Sequence, residues 1–222
     1  MERHETIIQD PELSKYLNRL EQDIVRKSHL QGCFVVELIQ DVEANAYSLP
    51  GGFLYVTSGL MLLAQSEGEL TAALAHETAH VAAHHFTRIE HQRRVWGRVA
   101  LAGGPAGYLV RRVLGPLLTR KLVRNAEFEA DRLSLKFQSA SGYDMTEFSE
   151  LLRSIFQDEN KPASFVERLF DTHPLITTRI TRLQNVGARM LRAPTNQIVD
   201  TSDFHEVKKR LSGLLKVRST SR

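Results

Sequence analysis

The chain of 222 residues holds one cysteine, Cys33, so neither an internal disulfide nor a cysteine-built zinc knuckle is open to it. It has one tryptophan, and aromatics make up 7% of its residues. That is a thin supply of stacking surfaces, and with no recognition motif present, nucleic-acid binding is not expected. The run Val99–Val110, uncharged between Arg98 and Arg111, is twelve residues long and broken by Gly103-Gly104-Pro105. A membrane-spanning helix needs roughly 20 apolar residues, so this stretch reads as a helical hairpin. It is a lid or a membrane-surface contact on one reading and a buried core hairpin on the other. Met1-Glu-Arg-His-Glu has no apolar region behind it, so no signal peptide is expected in the chain. Internal repeats and low-complexity tracts are missing too.

Acidic residues are scarce in one long stretch. From Arg88 to Arg124 nine Lys/Arg face a single acid, Glu90, which makes that segment +8 within a chain of net charge +3. Such a segment suits an anionic lipid surface, or else it is the solvated face of two helices. Hydrophobic and charged contents of 42% and 25% are those of an ordinary globular protein. Length favours one domain spanning 1–222, with its core over 10–214 and a frayed tail over 215–222.

What is present in abundance is helix. Asp10-Pro11 caps one that carries Leu13, Leu17, Leu20 and Ile24 to about Lys27. Strands are expected at Cys33–Ile39 and Phe53–Thr57, the second after a Leu49-Pro50-Gly51-Gly52 turn, with an extended stretch at Glu43–Tyr47 as an edge. A short helix at Ser58–Gln65 follows. Further helices are expected over Arg124–Phe137, Met145–Gln157, Thr177–Arg192 and Phe204–Lys216. The fold class is therefore α+β and predominantly helical, with a small three-stranded sheet packed on the helix described next.

That helix begins at Ser66 and Glu69, spaced as a capping box, and is read through Arg94. It carries His76-Glu77-Thr78-Ala79-His80, an H-E-x-x-H motif. Residues four apart share a helix face, so both imidazoles project together, with Glu77 close enough to act on a water between them. Two neutral nitrogens and a carboxylate base suit a catalytic zinc, one ion per chain, which needs a third protein ligand. Completion by a third histidine six residues on fails, because position 86 is Phe86 and position 83 is Ala83. His84 and His85, read on the same helix, are placed at the surface or behind the ligands. Glu127 and Asp131 share a face of a second helix, so one of them can bind zinc while the other orients a ligand imidazole; Glu129 points away.

Four features then stand in order: Asn45–Leu60 with its Leu-Pro-Gly-Gly turn, the H-E-x-x-H helix, Glu127-x-x-x-Asp131, and Asp171-Thr-His-Pro174. Together they resemble the gluzincin zinc metallopeptidases that include HtpX, BepA and the CAAX prenyl proteases, most closely the bacterial BepA-like branch. The resemblance runs from about Asp10 to Leu214 and implies a zincin-like fold. It implies His76, His80 and Glu127 as zinc ligands, Glu77 as general base, and Asp131 as the acid behind a ligand. It implies His173 as a histidine near the metal, able to steady an oxyanion or to occupy the open zinc position. Thr78 and Ala79 stand where an Ile-Gly pair is common in that family.

The activity so implied is endoproteolysis of extended or unfolded proteins, in envelope quality control, in the bacterial periplasm or membrane-associated envelope. Asn45 and Ala46 on the edge are the residues where a peptide substrate would add as a strand. A competing reading is a latent or chaperone-like module, its zinc blocked by His173 or by the 99–110 hairpin.

Overall fold

The structure is a computed structural model and describes residues 6–157, 176–190 and 197–220. Lys161-Pro162, Asp171–Pro174 with His173, and Pro194–Asn196 lie outside the described residues. Helix α1 (Pro11–Lys27) starts as expected: Asp10 Oδ1 accepts the N–H groups of Glu12 and Leu13 at 3.1 Å, with proline in the first position. Its stripe of Leu13, Leu17, Leu20 and Ile24 is fully buried, each side chain worth roughly 1.5–3 kcal/mol on leaving water.

Strands β1 (Val35–Ile39), β2 (Ala46–Leu49) and β3 (Phe53–Thr57) form one mixed sheet in the order β1-β3-β2. β1 runs parallel to β3, with Val35 opposite Phe53, and β2 runs antiparallel to it, with Ala46 opposite Val56. Gly52 makes the turn before β3 possible, because a Cβ there would lie 1.9 Å from the Cys33 carbonyl oxygen. The edge strand lies later than the Glu43–Tyr47 expected. Asp41 accepts from the N–H of Glu43 at 3.0 Å, and the Thr57 hydroxyl donates to the Glu43 carbonyl, so a turn occupies the stretch before Asn45.

The outer side of β1 is covered. Asn18 of α1 bonds both the N–H and the C=O of Val36, Gln22 bonds the Phe34 carbonyl, and Ile8 N–H donates to Leu38. An open sheet edge invites pairing with another strand, and here α1 closes that one. β2 is left as the edge beside the cleft described below.

After α2 (Ser58–Leu63) comes α3 (Glu67–Ala82), which carries the H-E-x-x-H motif. Half of the expected capping box forms: Ser66 Oγ accepts from Glu69 N–H at 3.0 Å, while the Glu69 carboxylate reaches Gln65 N–H. Every residue from Glu67 to Ala79 is buried, since Ala72, Ala73, Ala75 and Ala79 let neighbours approach on all sides. Those neighbours include α1, β2, α6 (Gly115–Ser141) and α7 (Glu147–Gln157). At its N-terminus the Glu67 carboxylate accepts hydroxyls from Tyr16, Tyr143 and Thr201 at 2.6–2.7 Å, tying three parts of the chain to the positive end of the helix.

The helix that carries the H-E-x-x-H motif does not run through Arg94. It stops at Ala82, His84 takes a left-handed conformation (φ 53°), and a new helix, α4 (His85–Ala102), begins. Beyond it, α5 (Gly104–Leu109) and a π-helical turn (Val110–Leu114) complete a hairpin back into α6. Its tip exposes Leu101, Tyr108, Leu109, Val113, Leu114 and Leu117, so the buried-core reading of this hairpin does not hold. Among the described residues no helix is long and apolar enough to cross a membrane. The chain closes with α8 (Ile176–Met190) and α9 (Ser202–Thr220).

Candidate metal centre

His76 and His80 lie one turn apart on α3, and Glu127 meets them from α6. One donor atom from each of the three lies within 4.8 Å of the others. His76 Nε2 and His80 Nε2 are 3.0 Å apart, and the Glu127 oxygens lie 3.6 Å and 3.3 Å from them. A tetrahedral ion with bonds of about 2.0–2.2 Å holds its donors roughly 3.3–3.5 Å apart, so this set has the spacing and chemistry of a zinc site. Glu77, Glu127 and Asp131 are all buried, and Arg179 is a buried cation facing Glu127 and Asp131.

Asp131 Oδ1 lies 3.3 Å from His76 Nδ1. Arg179 was not anticipated. Its guanidinium, 1% exposed, donates from Nε and Nη2 to Asp131 and places Nη1 2.8 Å from Glu127 Oε2. A signal was available: Arg179 interrupts the apolar stripe Ile176, Ile180, Leu183 of α8, where a charge needs a buried partner.

These partners set the protonation landscape. Burial and the Arg179 guanidinium act to lower the His76 pKa, yet hydrogen bonds to Asp131 and Glu127 outweigh them and lift it to about 9. Burial dominates at His80 and holds it below the ordinary histidine range. At Asp131 burial pushes upward, but Arg179 and His76 keep the carboxyl below its usual range.

His85 is not at the surface. It is 2% exposed, and its Nδ1 lies 3.0 Å from His80 Nδ1. Its Nε2 lies 3.3 Å from Glu129 Oε2, and Arg88 reaches the same oxygen at 3.1 Å. Glu129 thus stands off the metal face, as its helical position suggested, but is engaged. Burial and the neighbouring His80 hold the His85 ring below the ordinary histidine range.

Glu77 accepts from Ser48 Oγ at 2.8 Å. Ser48 lies on β2, where backbone groups alternate in direction. Asn45 bonds Thr57 through both its N–H and its C=O, so Tyr47 and Leu49 also turn their backbone toward β3. Ala46 and Ser48 turn theirs away from β3. Of the two residues expected to receive a peptide, Ala46 points outward and Asn45 inward. A cleft of about 810 Å³ runs past this edge, lined among others by Tyr47, Ser48, Glu77, His80, Ile89 and Glu127. The hairpin contributes its base to the cleft through Ile89, Glu90, Arg93, Val123 and Ala126. His173 falls outside the described residues.

Peptidase family M48 matches residues 8–186, and the chain belongs to that family. A putative beta-barrel assembly-enhancing protease of Vibrio cholerae is 28% identical over 95% of this chain and 46% of its own length. The beta-barrel assembly-enhancing protease of Escherichia coli K12 is 28% identical over 94% of this chain and 45% of its own. The mitochondrial metalloendopeptidase OMA1 of Schizosaccharomyces pombe is 30% identical over 76% of this chain and 51% of its own. The chain spans about half the length of these curated relatives.

Proposed function

We propose that this M48 chain is a zinc-dependent endopeptidase acting on extended or unfolded proteins, with one zinc held by His76, His80 and Glu127. The observation that carries the reading is the convergence of those three donors beside Glu77, with Glu77, His80 and Glu127 lining an open cleft. A bound zinc would polarise a scissile carbonyl and bring a water's pKa toward neutrality. Glu77 takes the proton of the attacking water and returns it to the leaving amine, while Ser48 holds its carboxylate in place. A substrate strand pairs with the outward backbone groups of Ala46 and Ser48, so recognition reads the main chain and tolerates many sequences. His173 is the residue we assign to the oxyanion or to a latent, blocked state.

The test is Glu77→Gln. The variant should keep its zinc and lose cleavage of an unfolded substrate such as casein; cleavage at the wild-type rate by a zinc-loaded variant would overturn the mechanism. If the intact chain is inactive and His173→Ala releases activity, the latent form is established. If neither cleaves, the chain is the binding module instead.

We further propose the bacterial branch and an envelope quality-control role. The relatives named for beta-barrel assembly align over nearly the whole chain, and the OMA1 protein over three quarters of it. The hairpin supports an anionic lipid surface as a partner: its apolar tip is flanked by exposed Arg98, Arg112 and Arg120, and it carries no acid between Glu90 and Glu127. Salt-sensitive co-sedimentation with anionic but not neutral vesicles is the expected result; equal behaviour with both would remove this partner.

A further inference from the structure

We propose that His85 and Glu129 form a hydrogen-bonded relay behind His80 that fixes the tautomer and ring orientation of this ligand and so sets the affinity for the metal. The proposal rests on the zinc reading above and adds positioning residues to it.

The relay begins with a break in the chain. α3 ends at Ala82, the N–H of Ala83 closes on Ala79, and the N–H of His84 bonds back to Val81 at 3.0 Å. His84 then adopts φ 53° and ψ 35°, a left-handed conformation that costs a non-glycine residue about 1 kcal/mol or more. On a continuous helix, residues 80 and 85 would lie about 140° apart and could not meet. The break folds His85 back so that its ring meets His80 edge to face, with centroids 4.9 Å apart.

Each proton position in the relay follows from the one before. His80 Nε2 faces the donor cluster, 3.3 Å from Glu127 Oε1 and 3.0 Å from His76 Nε2, so its lone pair belongs to the metal and its proton to Nδ1. Two Nδ1 atoms at 3.0 Å bond only if one of them carries the hydrogen. His80 therefore donates and His85 accepts, which places the proton of His85 on Nε2. There the acceptor is Glu129 Oε2, 3.3 Å away. Arg88 holds the same carboxylate oxygen from outside at 3.1 Å. A ligand imidazole whose other nitrogen donates to a fixed acceptor is held in register and made more basic. His76 has Asp131 for this purpose. His80 reaches its carboxylate one imidazole later.

Asparagine carries its Oδ1 where histidine carries Nδ1, so His85→Asn keeps an acceptor for His80, while His85→Phe keeps the ring volume and removes it. Zinc affinity is read by competition with a chromophoric chelator on protein whose fold is confirmed by circular dichroism. The Phe variant should bind about 10- to 100-fold more weakly than wild type, and the Asn variant should recover most of that loss. Wild-type affinity in a folded Phe variant would overturn the relay. So would an Asn variant as weak as Phe, because packing alone would then explain the site. If the Phe variant does not fold, 15N-imidazole NMR of the zinc-loaded wild type decides: His85 should be the neutral Nε2–H tautomer, and a proton on its Nδ1 would refute the assignment. A wild-type chain that takes up no zinc overturns the zinc reading and the relay together. Normal uptake with an unaffected Phe variant removes the relay alone.

Discussion

Two acids press on α3 from opposite sides, and their surroundings treat them in opposite ways. Asp131 meets the His76 face; Glu21 of α1 meets Thr78, two residues on and so across the helix. Both are almost fully buried. Asp131 accepts from Nε and Nη2 of Arg179 and stays below the ordinary carboxylate range despite its burial. Glu21 accepts a hydroxyl from Thr78 at 2.7 Å, and its other oxygen is buried with no hydrogen-bond partner among the described residues. Burial pushes it up to about 8, Thr78 offsets part of that, and the nearby Glu77 adds to it. Burial alone therefore does not decide a charge here. A buried cation does, and α3 has one only on its metal side among the described residues.

The largest way to break this contrast is Arg179→Leu. It leaves Asp131 and Glu127 buried without their guanidinium and should cost about 3–5 kcal/mol of stability in metal-free protein, read by urea unfolding. Zinc should raise the melting temperature of this variant more than that of wild type, since it restores positive charge to the same carboxylates.

Glu21→Gln sharpens the comparison from the other side. Its native pKa of about 8 lies above the ordinary value of 4.5, so the folded state keeps a proton that the unfolded chain loses between those limits. The stabilisation is whole below pH 4.5, falls as pH rises, and is gone above about 8. Glutamine carries no charge in either state. The variant should lie within about 1 kcal/mol of wild type near pH 5 and exceed it at pH 9 by roughly 4 kcal/mol, measured by thermal melts across that range. A pH-independent difference would show that Glu21 is ionised in the native protein.

The smallest effect is expected at the rim. Arg88 is 61% exposed in its pair with Glu129, so Arg88→Ala should change stability by less than about 1 kcal/mol in denaturant titration. A loss as large as that of Arg179→Leu would mean the outer wall is built like the inner one.

Much of this site was legible from spacing. The cap at Asp10, the Gly51-Gly52 turn, the shared face of His76 and His80, and that of Glu127 and Asp131 all follow from local geometry. The break at Ala83-His84 was not legible, because neither residue is a glycine or proline and nothing in the local pattern ends the helix there. Reading α3 through Arg94 left His85 with two places, at the surface or behind the ligands, and the break selects the second. The edge strand was misplaced by three residues at its start, because a turn stabilised by Asp41 and Thr57 outcompeted extension at Glu43. Arg179 was visible as a charge on an apolar stripe, but its partner is 48 residues away in sequence.

By itself, the sequence determined what a helix can decide over one turn: which imidazoles and carboxylates share a face, and that two nitrogens and an oxygen donor are available to a metal. The tertiary structure decided which of those carboxylates meets the histidines, that Arg179 neutralises the wall behind them, and that His85 returns to His80. Hydrogen bonds and Coulomb attraction fall with distance through space and not along the chain, so only packing α4 and α6 against α3, and α8 against α6 and α7, could place those partners.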